Sequence, residues 1–201
     1  MRVKSDDRRK AILDAACDVF REMGFERASM AAISARAGGS KTTLYSYFES
    51  KEDLFIAAML DAMEEQGQET ISLLDPANPD LRFVLERFGL AYLRFLTQSK
   101  TLALIRTAIA EGGKNSSLGP ELYALGPKRA WSDVAVYLTA LQARGALRPG
   151  DPHLAAAHLK GLLETGVMEP LLFGGKPDFD AEDAAPAAVA AFLRIYGAEP
   201  R

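Results

Sequence analysis

Apolar residues recur at spacings of three and four along almost the whole chain, with no stretch of strict apolar–polar alternation. That period is helical, so the pattern predicts an all-α protein of about nine helices. The first helix is expected from Arg8 to Met23, with Ile12, Ala15, Ala16, Val19, Phe20 and Met23 on one face. Gly24 ends it as a C-terminal cap. Three short segments follow, each opened by a serine: Ser29 before Met30–Ala37, Ser40 before Lys41–Phe48, and Ser50 before a helix starting at Lys51. A serine hydroxyl in that place accepts a bond from a free N–H of the first turn. Asp53 adds the reach-back position of a capping box.

The helix from Lys51 continues through Ile56, Met59, Leu60 and Met63 toward Leu74. Pro76-Ala77-Asn78-Pro79 is the clearest break, read as Asn78 capping and Pro79 in the first helical position. Further helices are predicted from there to Ser99, from Thr101 to Glu111, and from Pro120 to Arg144 with a kink at Gly126-Pro127. Asp151-Pro152 opens the most apolar one, running to Phe173 with Pro170 bending its end near Gly166. Asp180 or Asp183 caps the last, which ends at Gly197.

Ser29 to Phe55 is the informative stretch. Helix, glycine turn at Gly38-Gly39 and second helix make a helix-turn-helix, whose second helix lies in the major groove of DNA. Leu44 and Phe48 face inward, four apart. Lys41, Thr42 and Thr43 occupy the first turn, where the partial positive charge of a helix start suits base edges and phosphates. Tyr45 and Tyr47 add flanking hydroxyls. Lys51 works against the dipole of its own helix, so it is expected to face a phosphate.

This stretch, with the helix before it, resembles the DNA-binding domain of the TetR family of bacterial transcriptional regulators. The resemblance rests on Ile33, Ala37-Gly38, Ser40-Lys41, Thr43-Leu44-Tyr45, Tyr47-Phe48, Ser50-Lys51 and Leu54-Phe55, within residues 8–55. Gly39 departs from it, standing where the family places a small aliphatic such as Val, and a looser turn is expected. The resemblance implies a helix-turn-helix DNA-binding domain over 1–55 and a helical effector-binding and dimerisation domain over 56–201. Its DNA-contacting residues would be Ser29, Ser40, Lys41, Thr42, Thr43, Tyr45, Ser46, Tyr47 and Lys51. From Thr101 to about Gly174 the chain also resembles AefR-like regulatory domains.

Charge modifies this picture only slightly. The net charge of −3 argues against a nucleic-acid binder, yet residues 1–55 hold ten Lys/Arg against nine Asp/Glu. Binding would then lean on positioned contacts and pairing of subunits rather than on a large positive field. The polar residues 1–7, with Arg2 and Lys4, read as a frayed arm. The opening is polar, with no leader, and no apolar run reaches the ~20 residues needed to cross a bilayer, so a cytoplasmic protein with no membrane partner is expected. The single cysteine, Cys17, reads as a small buried thiol.

The helices from Pro152 and from Asp180 are apolar over most of their circumference, which calls for cover on two sides. A symmetric four-helix homodimer interface would supply it, and the resemblance implies the same, the alternative being that these helices form a monomer core. Leu154, His158, Leu162, Thr165, Met168, Val189, Phe192, Leu193 and Tyr196 are its candidates. Glu164 and Glu169 lie on the same apolar stretch and need partners or a polar effector. The candidate effector residues are the large side chains Met59, Met63, Phe88, Tyr92, Phe95, Ile105, Ile109, Tyr123, Trp131, Tyr137, Leu162 and Met168.

A catalytic function finds no support. His153 and His158 lack metal-ligand company, and no phosphate loop, dinucleotide fingerprint or nucleophile elbow occurs, so no cofactor or metal is expected. The expected function is therefore a repressor that dimerises on a palindromic double-stranded operator and is released by an unidentified small apolar or aromatic effector. The rival is an architectural or cell-division factor on the same scaffold, without small-molecule control.

Overall fold

The computed structural model describes residues 5–114 and 117–198. The arm expected over 1–7 therefore lies outside the described residues at positions 1–4, as does the centre of the polar loop near 115 and 116. The helices are α1 (Asp6–Arg27), α2 (Met30–Arg36), α3 (Lys41–Tyr47), α4 (Lys51–Ser72), α5 (Leu81–Thr97) and α6 (Ser99–Gly112). They continue as α7 (Leu118–Tyr123), α8 (Arg129–Ala143), α9 (Pro152–Glu164), α10 (Met168–Leu172) and α11 (Ala181–Tyr196). The only β pairing among the described residues is an isolated antiparallel bridge between Leu147 and Gly197. The chain is all-α, as its period predicts.

More helices occur than the pattern suggests because two long ones are broken. Between α7 and α8 the chain winds as a π segment over Ala124–Lys128. Pro127 lies inside it, and its missing N–H favours local rearrangement of the ladder. The helix from Pro152 breaks at Gly166, whose φ of +69° only glycine adopts readily. The ring of Phe179 lies 2.6 Å from where a Cβ on Gly166 would be. Pro170 is not the cause, since it falls in the first turn of α10, where N–H groups lack helical partners in any case. A third correction concerns α5, which Asp80 caps by accepting a 3.0 Å bond from the Phe83 N–H. Asn78 instead accepts from Asp80 N–H at 2.9 Å and so shapes the approach to the cap.

Packing groups the chain into two units whose membership is not the linear division 1–55 and 56–201. The first runs to Glu65 and takes in Ala103–Gly126, while the second holds Gln66–Leu102 and everything from Pro127 on. In the first unit, Phe20, Phe25 and Phe55 form an aromatic centre. Phe55 meets Phe20 edge-on at 4.9 Å between centroids and Phe25 at 5.3 Å. Ile12, Leu13, Ile33, Leu44 and Leu54, all essentially inaccessible to water, surround it. Burying side chains of this size stabilises a fold by roughly 1.5–3 kcal/mol each relative to exposure.

In the second unit, α11 packs against α5 and α9, and α8 against α9. Gly89 permits the approach of α9, since a Cβ there would stand 2.7 Å from the Leu163 Cδ2. The Pro76–Asn78 break is held in the same unit by Arg144, whose guanidinium donates to the Pro76 carbonyl and to that of Asn78.

Candidate functional site

The helix-turn-helix is assembled by local caps. Ser29 Oγ accepts from Ala32 N–H at 3.1 Å, Ser40 Oγ from Thr43 N–H at 3.1 Å, and Ser50 Oγ from Asp53 N–H at 3.0 Å. Gly38 takes φ +66° to end α2. The turn is then pinned on both sides of Gly39, whose N–H donates to the Ser34 carbonyl at 3.0 Å while Ser34 Oγ donates to the Gly39 carbonyl at 2.8 Å. These two bonds tie the turn in place of the side chain missing at position 39. Arg8, which the sequence reading did not single out, supplies a further tie by donating from Nη1 to the Ala37 carbonyl at 2.7 Å.

Of the seven residues of α3, Leu44 alone is buried. Lys41, Thr42, Tyr45 and Ser46 are exposed, while Thr43 and Tyr47 are half-buried. Lys41 makes no ion pair among the described residues. The exposed surface of α3 thus offers an ammonium, hydroxyls and a phenol on one short helix, groups that reach base edges and phosphates. Ser29 and Ser40 are exposed but their hydroxyls already serve their own caps. Tyr47 accepts a bond from Ser5 N–H at 3.2 Å.

Lys51 requires a correction. Its ammonium does not face outward but donates to the carbonyls of Phe25 at 2.9 Å and Ala28 at 3.3 Å, and stands 4.1 Å above the Phe25 ring. The carbonyls at the end of α1 lack helical partners and carry partial negative charge, which draws in a cation. Other cations nearby are also engaged. Lys10 bonds Asp61 and Asp14, in that order the main causes of its raised pKa. Arg36 forms a two-pronged pair with Glu22 at 2.8 Å, which raises the Arg36 pKa and lowers that of Glu22.

The effector candidates fall into both units. In the first, Met59 is buried in the core and Met63 and Ile105 are half-buried, but Ile109 and Tyr123 are largely exposed. These last two line no interior within that unit, because they sit on the outward sides of α6 and α7. In the second unit, Phe88, Tyr92 and Trp131 form a cluster, with Tyr92 5.2 Å edge-on to Trp131 and 6.0 Å from Phe88. The Trp131 indole N–H donates to the Tyr92 hydroxyl at 3.3 Å, and that hydroxyl donates to Glu164 at 2.5 Å. Burial, followed by the neighbouring carboxylate, pushes the Tyr92 phenol well above its ordinary pKa. Lys160 completes the group by donating to the other Glu164 oxygen. That partner was legible as an i,i+4 pair, and it resolves the cost of a carboxylate on an apolar helix.

Tyr137 and Met168 are buried and Phe95 and Leu162 half-buried. The Tyr137 hydroxyl has no hydrogen-bond partner among the described residues, and burial pushes its pKa up to about 12. Phe95 lines a surface groove of about 300 Å³ with Thr70, Leu73, Ala91 and Arg94. Among the described residues no group of three or more His, Cys, Asp or Glu side chains is placed to hold a metal ion. No described helix is long and apolar enough to cross a membrane.

The dimer candidates separate by burial. Val189 and Phe192 are fully buried and Met168 nearly so. They are thus core residues of one protomer rather than interface residues, because α11 turns Val189 and Phe192 toward α5 and α9. Leu154, His158 and Thr165 are exposed, whereas Leu162, Leu193 and Tyr196 are half-buried. His158 Nδ1 and the Tyr196 hydroxyl share a hydrogen bond across α9 and α11. Glu169 is exposed.

A capped helix-turn-helix presenting a bare polar helix, within an all-helical chain, defines a DNA-binding transcriptional regulator. The profile of bacterial regulatory proteins of the tetR family matches residues 12–58, and that of the AefR-like transcriptional repressor C-terminal domain matches residues 83–198. The chain belongs to the TetR family of transcriptional regulators. It is similar to a TetR-family regulator from Mesorhizobium loti at 30% identity and a TM-score of 0.86, over 98% of this chain and 100% of that one. It is also similar to the Flavonoid-responsive Regulator FrrA, at 27% identity and a TM-score of 0.79, over 96% and 98% of the two chains. The HTH-type transcriptional regulator YhgD of Bacillus subtilis is 32% identical over 75 residues, 37% of this chain and 39% of that protein. The match thus spans less than half of that curated relative. Family and relatives are regulators, not enzymes.

Proposed function

We propose that the protein is a ligand-responsive repressor that pairs on a palindromic operator and is released by a small apolar or aromatic effector. In this reading residues 1–55 contact DNA and residues 56–201 bind the effector and dimerise. The observation that carries it is α3, held from beneath by Leu44 while Lys41, Thr42, Tyr45 and Ser46 stay exposed. Two copies on a two-fold axis would place their reading helices in successive major grooves about 34–36 Å apart. The Phe88–Tyr92–Trp131 cluster and the name of FrrA both support an aromatic effector. Such an effector acts only by binding the DNA-incompetent arrangement more tightly than the competent one.

Selection of bound duplexes from a random pool, followed by a release screen with flavonoids and other aromatics, tests this directly. An inverted repeat that one compound class releases is the expected result. Binding without preference would overturn operator reading, and binding that no compound releases would favour the architectural rival. On the selected operator, Lys41→Ala is expected to weaken binding by roughly tenfold and change the preferred bases, with the melting temperature unaltered. Affinity unchanged in a folded protein would remove α3 from the groove.

Pairing is assigned to the outward faces of α9 and α11, where Leu154 and Ile195 are about half exposed and Ala157, Gly161 and Ala187 leave room for close approach. Leu154→Asp should weaken the dimer by roughly tenfold or more in sedimentation measurements, since it places a charge in a desolvated contact. A variant as dimeric as the parent would move the interface elsewhere.

A further inference from the structure

The start of α1 touches the last turn of the reading helix and the turn that precedes that helix. Ser5, the cap of α1, donates its N–H to the hydroxyl of Tyr47 in the last turn of α3, at 3.2 Å. Three residues on, Arg8 reaches the turn that precedes α3, with Nη1 2.7 Å from the Ala37 carbonyl. Its other terminal nitrogen, Nη2, lies 2.0 Å from where a Cβ on Gly39 would stand, with Cζ at 3.2 Å. The guanidinium and a side chain at position 39 therefore compete for one space. Gly39 does not have positive φ, so its backbone does not demand glycine. A side chain there would have to displace the Arg8 guanidinium.

We propose that Arg8 is a positioning residue for DNA reading: its guanidinium fills the space beside Gly39 and, through the Ala37 carbonyl, fixes the turn that aims α3. The inference rests on α3 being the helix that meets DNA. Arg8 need not touch DNA itself. A carbonyl at the end of α2 is a good partner for a cation, and the bond is charge-assisted. The planar fork holds the carbonyl while its outer nitrogen lies over the glycine, which a lysine ammonium does not reproduce.

The test is a double-substitution cycle in the full chain, comparing the parent, Arg8→Ala, Gly39→Val and the combined variant. Two measurements apply: amide hydrogen exchange at Gly38 and Gly39, and affinity for the duplex the parent selects, across a salt series. In the parent background Arg8→Ala should speed exchange at those amides about tenfold and weaken duplex binding about tenfold. The melting temperature and the salt slope should stay as they were. In the Gly39→Val background, where the valine fills the space, Arg8→Ala should change either quantity by no more than about threefold. Arg8→Lys should behave like Arg8→Ala.

Equal losses in both backgrounds would overturn the inference, because the two residues would then act independently. A salt slope lower by about one would also overturn it, identifying Arg8 as a phosphate ligand instead. So would unchanged exchange in Arg8→Ala. A parent that selects no duplex would sink the DNA-reading proposal, while the exchange cycle would still decide whether Arg8 fixes the turn.

Discussion

Phe55→Ala should lower the stability of the DNA-reading unit by about 3–5 kcal/mol, enough to remove duplex binding at ordinary temperatures. Phe55 is fully buried and stands edge-on to both Phe20 and Phe25, at interplanar angles of 84° and 75°. It comes one turn into α4, five residues after the cap at Ser50, so it fastens the start of that helix to α1. Truncation would leave a cavity between rings that have little freedom to close it. Urea unfolding, followed by the fluorescence of a probe in the first unit, measures the loss. A loss below about 1 kcal/mol would mean that this core repacks around the gap, contrary to its close packing.

Lys51→Ala should cost about 2 kcal/mol, the next largest effect, and should act on folding rather than on DNA contact. Its ammonium satisfies two carbonyls at the end of α1 and lies over the Phe25 ring. Charge-assisted bonds of this kind are worth about 1.5–3 kcal/mol, and partial exposure of the lysine places the figure in the lower part of that range. The substitution also strands the carbonyls of Phe25 and Ala28. A lower unfolding midpoint with an unchanged salt slope for DNA binding is expected. The opposite outcome, full stability with a slope reduced by about one, would show that the lysine turns outward to a phosphate when DNA is present. Lys41→Ala gives the contrasting pattern, so the two lysines of one motif separate in a single pair of experiments.

The difference between these lysines marks where sequence reasoning stops. Helix period and serine caps depend on residues within four positions of one another, so α2, α3 and the start of α4 were legible, whereas α1, expected over Arg8–Met23, runs from a cap at Ser5 to Arg27 with non-helical backbone at Gly24. Lys51 was misread because its partners lie 23 and 26 residues earlier, brought near only by the fold. The reading of Asn78 as the cap of α5, where Asp80 caps instead, failed for a different reason. Both can cap, and the decision rests on which side chain the approaching backbone uses first.

Burial posed the harder problem. An apolar stripe on α11 shows that Val189 and Phe192 are covered, but not whether the cover comes from the same chain. Within the aromatic cluster the sequence named Phe88, Tyr92 and Trp131, yet the Glu164–Lys160 pair that anchors the phenol needed coordinates to connect with them. The tie from Arg8 to the turn left no local signal at all, since a glycine at position 39 suggested slack rather than an occupied space.

Because Leu44 is buried and Tyr47 packs against the core beside it, the opposite side of α3 is free of the fold's own demands. Positions 41, 42, 45 and 46 form a replaceable face on a fixed mount. With α3 as the proposed reading helix, a lineage carrying this scaffold would be retargeted to new sequences by a few codon changes, without renegotiating the core beneath.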